Sequence, residues 1–344
     1  MVGLQRIRDY DAWARLAPEW SALCDRVPGS TPFQRPEWLL SWWKNWGSGD
    51  LYVLAFRSGN RLCGIAPLFL LHWECRAQLT FIGNGVSDYL GLVAEPELAA
   101  QCADLAMCHI ADDSLRWDLC DFQDLAADCA FLNVAAHGLE LRYTPHTPCM
   151  RASLSPDPEV SNSAVAAYLL RNIRSSRQHL DKIGRVEFAT SGTASADLVT
   201  ELVQLHRSRW ADSGGPKSML DTPQSVNLLC DAANAFGASG RLRVYTMRLD
   251  QRLVAGIYAF LDARILWGYF TGFDRALARY SPGSLLLDYA RTEAVRDGAV
   301  TWDFLRGAEP YKEHWGAVEV PKYRLTALPM QEHRESRQYA SEHV

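Results

Sequence analysis

The 344 residues carry 40 acidic and 35 basic side chains, a net charge of −5, and 48% of them are hydrophobic. That is enough chain for about two domains with ample packed core, and the negative balance argues against a general attraction to DNA. The longest apolar runs, such as Ile65–Leu71, fall far short of the ~20 residues that cross a bilayer, and residues 1–20 carry charges throughout, unlike a signal peptide.

In chain order, Leu51–Leu71 reads as a β-hairpin turning at Ser58-Gly59-Asn60, and Leu79–Ile82 as a further strand. A glycine-rich bend, Gly83-Asn84-Gly85, leads to Ser87-Asp88-Tyr89. Glu97–Ile110 has helical character, and Trp117–Leu119 returns to a strand. Thr144–Ser163 holds Pro145, Pro148, Pro156 and Pro158 among serines and threonines, a composition that suits a linker or irregular crossover. The domain boundary is therefore expected near residue 155, giving domains 1–155 and 156–344.

Leu169–Arg185 is a basic helical stretch with Arg171, Arg174, Arg177, Lys182 and Arg185, and Leu169, Leu170, Ile173, Leu180 and Ile183 on its apolar side. Such a run is a solvated face or a rim for phosphate. Arg209-Trp210 and Asp212-Ser-Gly-Gly-Pro216 follow, a turn with the composition of a lid. Leu242–Asp262 is a second hairpin, turning at Asp250-Gln251, and Ile265–Phe270 is a strand. Ser281-Pro282-Gly283 opens a helix whose Leu286, Tyr289, Ala290 and Ala294 share a face and which Gly298 stops. Val300–Leu305 alternates as a buried strand around Asp303, and Arg306-Gly307 ends it. Glu309, Tyr311, Lys312, His314 and Trp315 crowd the loop at its carboxyl end, where ligand sites of open α/β sheets tend to lie.

The chain repeats itself. Leu51, Val53, Arg57 and Arg61-Leu62 match Leu242, Val244, Arg248 and Arg252-Leu253, and both halves continue as strand, helix, strand. A duplicated antiparallel meander, helix and strand gives an α/β (α+β) class, with mixed, mainly antiparallel sheets flanked by helices. Nine scattered cysteines form no C-x-x-C, which points to reduced thiols in the cytoplasm and not to a disulfide framework. Nine histidines include no H-E-x-x-H, so no protein-bound metal is expected. No G-x-S-x-G and no Cys/His pair marks a nucleophile.

Val300–Trp315, with its order DFLRG-x-E-x-YK-x-x-W, resembles the C-terminal half of the CelD-like (BioF2-like) acyltransferases of the GNAT superfamily, which are related to the FemABX transferases. Gly64-Ile-Ala-Pro67-Leu, Ser87-Asp88-Tyr89 and Leu205-His-Arg-Ser-Arg209-Trp210 are similar to further family elements, and the likeness runs from about Thr31 to Leu325. The resemblance implies tandem GNAT-like domains and transfer of an acyl group from acetyl-CoA or another acyl-CoA to a small-molecule amine. The acceptor would be an amino sugar or an amino-acid-like amine of polysaccharide or envelope biosynthesis. The amine itself attacks, so no catalytic Ser or Cys is needed.

The same resemblance assigns candidate roles. Lys312 polarises the carbonyl, or else is a surface lysine paired with Glu309 or Glu313. Asp88 or Glu309 accepts the amine's proton; the alternative for Asp88 is an Asx turn. Asp303 orients Arg306 or Lys312, binds the amine, or simply closes the loop. Tyr89, Arg306, Tyr311, Trp315 and Trp210 form substrate walls or plain packing. GNAT enzymes place R/Q-x-x-G-x-G/A at a helix start to hold the CoA pyrophosphate. Here Arg279, Ser281, Gly283 and Ser284 occupy the right helix but depart from that pattern, and the first half has no such turn. One donor site is therefore expected, in the second half, with the cleft between the halves so that the Asp88 and Lys312 loops face one substrate. An aminoacyl-tRNA-dependent FemABX-like transferase ranks second, because no basic arm or coiled-coil insertion for tRNA is present. A non-catalytic GNAT-like scaffold is the third reading.

Overall fold

The computed structural model describes residues 1–157, 159, 165, 167–210, 220 and 222–330. It divides into two compact units, Met1–Thr147 with the chain from Pro321 onward, and Pro148–Val320.

In the first unit, β1 (Val2–Ile7), β2 (Asp50–Ser58), β3 (Arg61–Trp73) and β4 (Arg76–Phe81) pair antiparallel in that order. The helix Ala99–Asp112 then carries the chain to β6 (Leu119–Ala126), which lies parallel to β4. A short strand, β5 (Val93–Ala94), pairs with β3. Lys322–Ala327 of β13 (Val318–Pro329) runs antiparallel to β6. The helix Pro36–Trp46 starts on a proline and buries Trp38, Leu39 and Trp42, spaced three and four residues apart, on one face. With Trp13, Trp20 and Trp117 these indoles anchor the core.

The second unit repeats the plan. β9 (Leu242–Leu249), β10 (Arg252–Asp262) and β11 (Ile265–Phe273) form the meander. The helix Pro282–Arg296 follows, and β12 (Thr301–Arg306) lies parallel to β11. β8 (Val186–Ser191) extends one edge, and Cys149–Ser153 of β7 (Leu139–Ser153) pairs antiparallel with β12. Trp267 and Trp302 are fully buried in this core. The parallel pairing covers three residues in each unit, Gln78–Thr80 with Leu119–Asp121 and Ile265–Trp267 with Thr301–Asp303. Even the hairpin turns are alike: Arg57 Nη1 donates to the Asn60 carbonyl at 2.6 Å, and Arg248 Nη1 to the Gln251 carbonyl at 2.7 Å. The tandem α/β architecture is therefore present.

Two boundaries differ from the sequence reading. The proline-rich stretch from Thr144 is strand, not linker, as far as Ser153. Pro148 has no N–H, but its carbonyl accepts from the Gly307 N–H, so the strand keeps the half of its pairing that proline allows. The chain passes between units at 147/148 instead of near 155, and it returns to the first unit at Pro321.

Candidate functional site

The end of β12 is a knot of hydrogen bonds. Asp303 is fully buried. Its Oδ1 accepts the Leu305 N–H at 2.8 Å, and its Oδ2 accepts Arg151 Nε at 3.0 Å and Nη2 at 2.8 Å. That geometry matches the loop-closing reading, with Arg151 as partner. Leu305 and Gly307 then adopt positive φ (61° and 99°), which turns the carbonyls of 305–307 off the strand. Lys312, 2% exposed on the helical turn Pro310–His314, gathers them in. Its Nζ donates to Arg306 O at 2.8 Å, Gly307 O at 2.9 Å and Leu305 O at 3.3 Å, and it ion-pairs with Glu309 Oε2 at 2.8 Å.

The expectation of Lys312 as an oxyanion cation meets a physical obstacle here. Its ammonium protons already serve carbonyls that would otherwise be buried without a donor. Glu309 is engaged by the same ammonium. Trp315 belongs to the core of the unit, with the Arg291 guanidinium 5.9 Å from its ring, and Tyr311 packs against that core. Arg306 is half-buried at the strand end.

A different opening lies alongside. β11 runs on to Phe273, while its pairing with β12 stops at Trp267 and Asp303, so the two parallel strands part company. The helix Pro282–Arg296 begins beyond this divergence. Ser281, its N-cap, has φ 50° and caps nothing with its side chain. Pro282 brings no N–H, and Leu285 N–H is satisfied by Ser281 O at 3.1 Å. Among the described residues, the Gly283 and Ser284 N–H groups are thus left pointing out of the helix start, where its dipole favours an anion. Gly283 sits close to the Phe273 ring; a Cβ there would stand 3.3 Å from it. Arg279 is exposed and stacks on Tyr280 at 4.6 Å.

His206, on the helix Ala196–Trp210, has its Nδ1 3.1 Å from the Thr271 carbonyl on the free-running part of β11, and its ring packs edge-on against Phe270. A carbonyl only accepts, so the neutral ring carries its lone pair on Nε2. Sequence reading quoted His206 within Leu205–Trp210 without giving it a role, because the bond to Thr271 spans 65 positions. The Trp210 side chain and the 212–216 turn lie outside the described residues.

In the first unit, Gly83 and Gly85 take positive φ (99° and 91°) and bring Asp88 and Tyr89 to the end of β6. Both are buried, at 7% and 2% exposure. Lys322, also buried, donates from Nζ to the Asp88 carbonyl at 2.8 Å and ion-pairs with Asp124, while the Tyr89 ring lies 5.6 Å from the ammonium. His146 Nε2 stands 3.6 Å from Asp124 Oδ1. Nearby, Arg324 grips Asp121 through Nε at 2.6 Å and Nη2 at 2.9 Å. Leu90 forms a parallel bridge to Leu125, with its N–H on the Asp124 carbonyl at 3.0 Å. Asp88 and Tyr89 thus belong to the first unit, and the other site candidates to the second.

Among the described residues, no cluster of three His, Cys, Asp or Glu side chains is arranged to hold a metal. None of their helices is long and apolar enough to cross a membrane. All nine cysteines are free thiols.

Residues 169–313 match the acetyltransferase (GNAT) domain family. No curated protein matches the chain. Among solved structures, FemX is similar with a TM-score of 0.67 at 9% identity, covering 94% of this chain and 96% of its own. The L-PGS from Bacillus licheniformis is similar with a TM-score of 0.53 at 11% identity, covering 86% of this chain and 92% of its own. At these identities the likeness is one of fold.

Proposed function

We infer from the match of residues 169–313 to the acetyltransferase (GNAT) domain family that the protein is a GNAT-type transferase. From that premise we propose that it is an acyl-CoA-dependent N-acyltransferase acting on the amine of an amino sugar or an amino-acid-like acceptor in polysaccharide or envelope biosynthesis. The observation that carries this reading is the divergence of β11 from β12 beside a helix start with two uncapped N–H groups. A thioester arm fits between parting strands, and a pyrophosphate fits on Gly283 and Ser284 with Arg279 at its edge. In the first unit the corresponding gap between β4 and β6 is filled by the Leu90–Leu125 bridge, which supports a single donor site.

The chemistry needs a neutral amine. It attacks the thioester carbon, the oxyanion collapses, the C–S bond breaks, and the thiolate leaves and is protonated. Backbone N–H groups beside the diverging strands stabilise the oxyanion. Lys312 holds the strand end in shape as a positioning residue, and Glu309 shares that ion pair. Proton acceptance falls to Asp88 or Glu309. Nine free thiols support a reducing, cytoplasmic setting.

The test is thermal stability of the full chain with acetyl-CoA, longer acyl-CoAs and free CoA. A ligand at 100 times its Kd adds about 2.7 kcal/mol, so a shift graded by acyl length establishes the donor. No shift with any of them, together with salt-sensitive retention of aminoacyl-tRNA on the exposed Arg171 and Arg174 of the helix Ala167–Leu180, would move the reading to an aminoacyltransferase.

A further inference from the structure

The helices Ala167–Leu180 and Pro282–Arg296 of the second unit share one core, to which Ile173, Leu285 and Leu286 belong. Outside that core they leave a groove. It consists of two adjoining hollows of about 420 Å³ and about 630 Å³, with Ile173, Arg174, Asp288, Thr292 and Arg296 lining both. Each volume is within the range of small-ligand sites, about 300–1,000 Å³. Helical spacing accounts for the walls. Asp288, Thr292 and Arg296 follow one another at intervals of four along their helix, and Arg174 and Gln178 do the same on the other.

The groove gathers positive charge from both helices. Arg174, Arg177, Arg291 and Arg296 line it against Asp288 and Glu293, with no lysine among the described residues. Each carboxylate is used within its own helix: Asp288 Oδ1 accepts Arg291 Nη2 at 2.9 Å, and Glu293 pairs with Arg296. Arg177 turns its Nε to Asp181 at 3.0 Å, which stands off the lining. Arg174 meets no carboxylate among the described residues, and it lines both hollows. Arg291 is the most enclosed of the four, with its side chain 12% exposed. Exposed pairs between neighbours on one helix contribute little, and a guanidinium has more N–H donors than one carboxylate uses. Arg174 and Arg296 therefore keep donors for a ligand, and an anion between them relieves their mutual repulsion.

The other end of the groove is apolar. Leu285 is buried there, and Phe188 stacks on Tyr289 with ring centres 5.0 Å apart. The Thr190 hydroxyl donates to Tyr289 Oη at 3.2 Å, which fixes that ring. An anionic head and an apolar body thus find complementary surfaces side by side. The corresponding helix of the first unit, Ala99–Asp112, carries neither lysine nor arginine. The basic face is therefore particular to the second unit and does not come with the shared fold.

We propose that this groove binds a phosphate monoester of an apolar or aromatic group, with the phosphate between Arg174 and Arg296 and the body of the ligand against Leu285 and the Phe188–Tyr289 pair. The planar guanidinium fork suits a phosphate, which it can meet through two parallel N–H bonds. The site shares the helix Pro282–Arg296 with the acyl-donor reading but none of its residues, so either can fail without the other.

The experiment is calorimetric titration of the full chain with phenyl phosphate, inorganic phosphate and phenol, repeated with saturating CoA present. Phenyl phosphate is expected to bind about tenfold more tightly than inorganic phosphate, from burial of the ring. Phenol should not bind, and CoA should leave the phenyl phosphate affinity unchanged. Arg174→Gln should weaken it about tenfold, the loss of one hydrogen bond to a charged group, and Arg174→Gln/Arg296→Gln should weaken it further. Both positions are exposed, and neither belongs to the shared core. Failure of phenyl phosphate to bind overturns the proposal, as does equal affinity for phenyl and inorganic phosphate. Binding that the double variant leaves unchanged, or that CoA displaces, also overturns it and would place the phosphate elsewhere on the molecule.

Discussion

Arg151 grips Asp303 from the neighbouring strand, with Nε and Nη2 both on one oxygen of a carboxylate that solvent does not reach. Arg324 holds Asp121 in the first unit with one nitrogen on each carboxylate oxygen, Nε on Oδ1 and Nη2 on Oδ2. In each unit an aspartate on the parallel strand is thus held by an arginine from an antiparallel neighbour. Burial makes any loss of the arginine partner costly.

Arg151→Met is therefore expected to lower unfolding free energy by about 1.5–3 kcal/mol, the range for hydrogen bonds to a buried charge. Urea unfolding of the purified variant measures it. A loss within a few tenths of a kcal/mol would mean that the fork contributes nothing to the second unit.

Lys312 separates a structural role from a chemical one. Lys312→Met leaves the carbonyls of Leu305, Arg306 and Gly307 without their ammonium donor, so stability should fall by about 3 kcal/mol or more. Activity should fall with it, in kcat and KM together, as the strand end loosens. A variant that melts like wild type but loses only kcat would return Lys312 to the oxyanion.

Much of this frame was legible in the sequence. The hairpins, the strand around Asp303 and the proline-led helix at Pro282 rest on contacts within a few residues, and local periodicity reports them. The polar clusters were not legible for the opposite reason. Lys322 reaches Asp124 across 198 positions and Arg324 reaches Asp121 across 203, so no spacing announces them. β7 was masked by its prolines, whose composition reads as a linker whether or not a neighbouring strand uses their carbonyls. Lys312 was found by its motif, but only the backbone turn at Leu305 shows what its ammonium is needed for.

Ser284→Asp tests the phosphate reading with opposite signs on two measurements. A carboxylate in the first helical turn complements the dipole, so the free protein should gain about 0.3–1 kcal/mol. The same charge repels a pyrophosphate from Gly283 and Ser284, so acyl-CoA binding should weaken tenfold or more. Unchanged acyl-CoA affinity would remove the helix start from the donor site.

The last test concerns acid. Glu95, 5% exposed before the helix Ala99–Asp112, meets Arg26 Nε at 3.2 Å and Arg61 Nη2 at 2.8 Å. Burial disfavours its charged form, but hydrogen bonds from the two guanidiniums outweigh that and hold the carboxyl below its ordinary value of 4.5. A folded-state value below the unfolded one gives stability that is fully present above the carboxylate range and lost as pH falls through the folded value. Glu95→Gln should therefore be less stable than wild type by a constant amount from neutral pH down to about 5.5, with the gap closing below pH 4.5. Denaturant midpoints of both proteins at half-unit pH steps read the effect. A gap that persists unchanged to pH 3 would show that packing around Glu95, and not its charge, joins the turn to Arg26 and Arg61.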